Sequence, residues 1–185
     1  MESTIQSEIN LGKVVPNIAT MLATNAGRWS DNIVFQWKQD GKYTGISWKE
    51  FYNNILNIAF NLKKYGFSRG DKMVIFSPNR LEMLELELAV MASGGIAVPI
   101  FAFFHRETAE LLINHSDARH LAVAGELQLC RLGNIRVENI FVFDKLEKNT
   151  FSNQHSFDEL LAERTEKGYC LQTEVAPDDT CLNMY

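Results

Sequence analysis

The sequence predicts an α/β fold: a doubly wound, mostly parallel sheet with helices on both faces, preceded by a β-hairpin. Three observations predict it. Short continuous apolar runs such as Met73–Phe76 suit strands buried on both faces, as parallel sheets require. These runs alternate with stretches of helical period, the signature of βαβ units. Near the start, an alternating segment is followed by an Asp-Gly pair, which signals an antiparallel hairpin. The length of 185 residues fits one domain. An apolar content of 46% against 22% charged residues supports a packed core rather than disorder.

The elements follow in order. Residues 1–25 read as a lead-in containing one apolar-periodic piece, Ile18 to Ala23. Ile33, Phe35 and Trp37 alternate with polar residues, Asp40–Gly41 tolerates positive φ, and Tyr43 and Ile46 continue the return strand. Ser47 and Glu50 form an S-x-x-E capping box, with Ile46 and Phe51 spaced for a hydrophobic staple. Behind them Trp48, Phe51, Tyr52, Ile55, Ala59 and Leu62 make one helical face. Lys63 and Lys64 suit the carbonyl end of that helix, and Gly66 sits where a left-handed cap belongs.

Met73–Phe76 is the first buried strand, stopped by Ser77–Pro78. Asn79 with Glu82 is expected to open the next helix, whose stripe is Leu81, Leu84, Leu88 and Met91, and Gly94–Gly95 to end it. Ile96–Ile100 is a strand, Glu107–His115 a helix, and His120–Val123 a strand. Leu127–Leu132 is expected to make a helical turn and Ile140–Phe143 another strand. Lys145–Ser156 reads as a flexible loop, and Ser156 with Glu159 repeats the capping pattern. Thr180–Tyr185, in the terminal PDDTCLNMY, is expected to be a buried strand.

Composition excludes several functions. The formal charge is -5 and the cations are scattered, which argues against nucleic acid as a partner. Three cysteines, Cys130, Cys170 and Cys181, form no C-x-x-C pair and read as reduced thiols. The polar start MESTIQSEIN is not a signal peptide, and glutamates interrupt the apolar stretch Leu81–Phe104. A cytoplasmic location is therefore expected.

No catalytic set emerges from spacing. Gly94–Gly95 follows a helix and lacks the G-x-G-x-x-G pattern, so it reads as a helix cap. His105, His115, His120 and His155 lack metal-ligand spacing and read as structural or surface residues. Glu82, Glu85 and Glu87 read as the solvated side of a helix rather than an acid–base pair. Ser77 has no nucleophile elbow around it. In an open parallel sheet, ligands bind outside the carboxyl ends of the strands. Here those ends carry Ser77–Arg80 and Phe101–Arg106, and a third follows Tyr185.

Several stretches, in order, resemble adenylate-forming (AMP-binding) enzymes of the acyl-CoA synthetase and luciferase superfamily. TGISWKEFYNNILNIAFNLKKYGFSRGDKMVIFSPN is similar to the family's opening hairpin, helix, Gly-Asp turn and strand. LELAVMASGGIAVPIFAFF resembles the next helix and the strand ending in Val-Pro. ETAELLINHSDARHLAVAG is similar to the following unit and points to the long-chain fatty acyl-CoA synthetase branch. PDDTCLNMY resembles the strand before the phosphate loop. The likeness covers roughly residues 17–185, and NRLEMLELELAV departs from it in lacking a tryptophan that many members carry near this helix start.

The resemblance implies an incomplete N-terminal subdomain of the acyl-CoA synthetase fold, with residues 26–185 as the first part of the adenylation domain, stopping before the phosphate loop. It implies a parent enzyme that activates a fatty acid with ATP and Mg²⁺ to an acyl-adenylate and passes the acyl group to CoA. It carries over no catalytic, cofactor-binding or metal-binding residue to this chain, which is expected to bind no cofactor and to be inactive alone. Membrane contact of the parent would be peripheral, and surfaces left uncovered would favour a homodimer. Two alternatives stay open: a free-standing α/β binding or regulatory module, and the same segment of a ligase for another carboxylate.

Overall fold

In the computed structural model, the described residues are 12, 14–171 and 175–185. Helix α1 (Ile18–Trp29) is capped by Asn17, whose side chain accepts from the Thr20 N–H at 2.8 Å. The apolar piece expected within the lead-in is therefore part of a longer helix that runs through position 25. Strands β1 (Ile33–Gln39) and β2 (Lys42–Ser47) pair antiparallel. Asp40 and Gly41 between them have φ of 50° and 79°, as the tight turn requires. The Ser47–Glu50 capping box opens α2 (Trp48–Leu62), and a short 3₁₀ turn, Lys63–Tyr65, leads to Gly66 at φ 80°. Ile46 and Phe51 are both buried in the core beneath this helix.

The main sheet has five parallel strands: β3 (Lys72–Phe76), β4 (Ile96–Ile100), β5 (His120–Val123), β6 (Asn139–Val142) and β7 (Gln154–Ser156), in the order β4-β3-β5-β6-β7. Alternate strand residues face two separate cores. Met73, Ile75, Ala97, Ala122 and Phe141 join the core shared with α1, α2, α3 (Leu81–Ala92) and α6 (Asp158–Leu161). Val74, Phe76, Val98, Leu121, Val123, Ile140 and Val142 join the one shared with α4 (Arg106–His115) and α5 (Glu126–Leu129). Helices on both faces and the apolar runs of β3 to β6 are two views of the same constraint.

Four local expectations need correction. Lys145–Ser156 is not loop throughout, because β7 occupies its end and pairs with β6. Gln154 is polar but buried, and its side chain binds the turn at Asn149–Phe151, so the apolar run that marks a strand is missing. Asn79 does not cap α3: Arg80 occupies that position in extended conformation, without a side-chain cap. The second capping box is half made, since Glu159 accepts from the Ser156 N–H while the Ser156 hydroxyl accepts from Asp158 instead.

The fourth correction concerns the terminal segment. Among the described residues it pairs only at Leu182, beside Ala97 of β4, through the Ala97 N–H to Cys181 and the Asn183 N–H to Ala97, each 2.9 Å. Met184 and Tyr185 are 76% and 48% exposed rather than buried. Among the described residues, the segment lies at the sheet edge with a strand on one side only.

Candidate functional site

The chain leaves β3 toward β4 on one side, then returns from β4 to β5 on the other. The strand order thus reverses between β3 and β5, and an open α/β sheet has its crevice at that point. Arg80, just past β3, spans it. Its guanidinium donates to both Glu82 oxygens at 2.9 and 3.0 Å and to Asp144 at 2.7 Å, and it lies 5.5 Å from the Phe143 ring centroid. Asp144 follows β6, so one side chain ties two strand ends together. The Glu82 hydrogen bonds, then those of Asp144, raise the Arg80 pKa despite burial. Burial works to raise the Glu82 carboxyl, but the bonds from Arg80 and its own backbone outweigh it, and its pKa falls below the ordinary value. Gly125, after β5, has no room for a Cβ because the Asp144 carboxylate occupies that space.

A second depression, about 620 Å³, lies over the ends of β3 and β4. Ser77 to Asn79, Met83 and Glu87 of α3, Pro99 to Phe103 and the terminal Leu182, Met184 and Tyr185 line it. Two of the three strand ends singled out from sequence therefore meet the terminal segment in one cleft. Its walls are apolar, and Phe101 and Phe103 are 60% and 54% exposed with ring centroids 5.5 Å apart. The carboxyl of Glu87 is its ionisable acid, and burial raises that group's pKa. Ser77 is buried and its hydroxyl donates to the Pro78 carbonyl at 2.8 Å, which is a structural role.

The remaining candidates separate. Gly94 has φ 77° and donates to Met91, while Gly95 donates to Val90, so the pair closes α3 in a Schellman motif as expected. His120 and His155 both bond the Asn139 side chain at 3.2 Å, in a structural network. Burial lowers the His120 pKa, and its Nε2 has no partner among the described residues. His105 precedes α4 exposed, and the His115 ring lies 5.7 Å from that of Tyr185. The described residues contain no group of three or more His, Cys, Asp or Glu able to hold a metal. The three cysteines are free thiols.

One reading from sequence is overturned here. Glu85 is not on a wet face: it is buried, and accepts a 2.8 Å hydrogen bond from Asn54 of α2. Helix α3 packs against α2 and α1 as well as β3 and β4, so little of its circumference remains for solvent. A run of glutamates in sequence carries no signal of that enclosure.

The architecture defines an open, doubly wound α/β subdomain whose crevice lies at the carboxyl edge of the sheet. The chain belongs to the AMP-binding enzyme family, whose model matches residues 22–185. Among its relatives is the Long-chain-fatty-acid–CoA ligase FadD15 of Mycobacterium bovis, 31% identical over 102 residues, which are 55% of this chain and 17% of that protein. The 4-hydroxybutyrate–CoA ligase 2 of Metallosphaera sedula is 41% identical over 86 residues, 46% of this chain and 15% of that protein. The crystal structure of Brucella canis acyl-CoA synthetase superposes with a TM-score of 0.75 at 16% identity, covering 91% of this chain and 31% of that one. The chain thus spans about a sixth of the curated relatives it matches.

The family's ATP and Mg²⁺ do not fit the groups present in this cleft. Among the described residues no Lys or Arg lines it, and Glu87 would repel a polyphosphate. The nearby cation, Arg80, is already paired with two carboxylates.

Proposed function

We propose that this chain is the N-terminal part of an ATP-dependent acid–thiol ligase that activates a long-chain fatty acid as its acyl-adenylate and transfers the acyl group to CoA. The family match from residue 22 to residue 185 carries this reading, and the relative named a long-chain-fatty-acid–CoA ligase supports the substrate class. Residues 26–185 form the first part of the adenylation domain and residues 1–25 its lead-in. Binding of ATP, Mg²⁺ and CoA belongs to sequence outside these 185 residues, because a cleft with Glu87 and, among the described residues, no unpaired cation is unsuited to phosphates. The isolated chain is therefore inactive.

No helix among the described residues is long and apolar enough to cross a membrane. We place the protein in the cytoplasm, with any membrane contact of the full-length protein at its periphery. The 4-hydroxybutyrate ligase relative favours a second reading, in which the same segment serves a shorter carboxylate.

The test is carboxylate-dependent ATP–pyrophosphate exchange. It is run with the full-length gene product and a panel of long-chain, short-chain and aromatic acids, and in parallel with the 185-residue chain. Exchange with long-chain acids by the full-length protein alone is expected. Preference for a short or aromatic acid would overturn the substrate, and exchange by the isolated chain would overturn its inactivity. No exchange with any acid would leave the free-standing binding module standing instead.

A further inference from the structure

We propose that Glu85 and Asn54 form a proton-gated latch between α2 and α3: the neutral carboxylic acid holds the helices together, and its ionisation weakens their contact. Glu85 lies within α3 and is 1% exposed, and its Oε1 accepts from Asn54 Nδ2 at 2.8 Å. No cation faces it. The charges of α2 are Lys49 and Glu50, exposed in its first turn, and α1 carries only Arg28, exposed near its end. Strand β4 has no charged residue, and Lys72 of β3 donates to the Ser116 carbonyl. Tyr52 of α2 also titrates, but burial raises its phenol further above its ordinary range. On α3 itself, Glu87 lines the cleft and Glu82 is held by Arg80, and the Glu82 charge opposes ionisation of Glu85.

A carboxylate removed from bulk solvent with one neutral amide partner is costly, because no counter-ion among the described residues offsets its desolvation. The protonated acid avoids that cost and still accepts from Asn54. Burial accordingly pushes the Glu85 carboxyl up to about 7, against the smaller lowering effect of the Asn54 bond. The folded pKa is above the unfolded one, so this stability is fully present below the ordinary glutamate value of 4.5 and is lost as pH rises through about 7. Helix α3 begins beside the Arg80–Glu82 pair and carries Met83 and Glu87 into the cleft, so loosening its contact with α2 reaches the carboxyl edge of the sheet.

The test compares unfolding of the wild-type protein with that of Glu85→Gln from pH 5 to pH 8. Glutamine keeps the size and the acceptor but cannot ionise. The buried His120 has the opposite sign, losing stability as pH falls below the ordinary histidine value of 6.5, so the difference between the two proteins is the quantity that matters. The wild-type folding constant is expected to fall relative to the variant by roughly tenfold to a hundredfold across this range. Parallel pH curves would overturn the latch. An NMR titration of the Glu85 side-chain carboxyl decides independently, even if the variant does not fold: a midpoint near 7 supports the proposal, and one at an ordinary glutamate value overturns it.

Discussion

Single residues carry meanings here that depend on what surrounds them. Gly94 and Gly95 are adjacent and chemically identical, yet the first is needed for its left-handed φ and the second for its lack of a side chain. A Cβ on Gly95 would lie 2.5 Å from Phe67 Cζ and 3.1 Å from the Asp71 carbonyl oxygen. Gly95→Ala should therefore destabilise the protein by about 1–3 kcal/mol through overpacking. Urea unfolding checks this, and an unchanged midpoint would contradict it. Sequence alone identified the pair as a helix cap, because glycine at that position has a backbone reason. It did not show the Phe67 contact, which joins residues 28 apart. Glu85 shows the same limit with larger consequences, since its burial depends on α2, on whose face it rests.

At the scale of elements, local signals worked where one segment contains both partners. The Ser47–Glu50 box and the Asp40–Gly41 turn are complete within a few residues, and both form as read. A strand held by distant partners without an apolar run of its own was not legible. Strand β7 ends a stretch read as loop because pairing with β6 and the Gln154 side-chain bonds stabilise it, rather than any apolar run. Helix α6 spans only Asp158–Leu161 and is fastened by Asn61 of α2, whose buried Nδ2 donates to Leu160 and Ala162 at 3.0 and 2.8 Å. Removing the amide leaves those carbonyls without this donor. Asn61→Ala is expected to cost about 1–3 kcal/mol and to raise protease cleavage around residues 158–164. Limited proteolysis with a guanidinium titration measures both, and a variant as resistant and stable as wild type would refute the fastening role.

At the scale of the molecule, the carboxyl edge combines a polar crevice closed by Arg80 with an apolar cleft whose aromatic walls face solvent. Phe101, Phe103, Met184 and Tyr185 together form an exposed apolar patch of the kind that drives association. The 185-residue chain should self-associate, most simply as a two-fold dimer. Light scattering across a hundredfold range of concentration reads this, and Phe101→Ser should shift the equilibrium toward monomer. A wild-type chain that stays monomeric throughout would refute it.

The sequence by itself determined the α/β class, the hairpin, the order of the buried strands and the family resemblance, because each rests on period, turn chemistry or the succession of short motifs. Tertiary structure decided what the α3 glutamates do. Glu82 pairs with a cation, Glu85 is sealed against Asn54, and Glu87 looks into a cleft. The three lie within six positions of one helix and differ only in what packs beside them. The charge and proton affinity of a carboxyl follow from its surroundings, and those are assembled by residues far away in the chain.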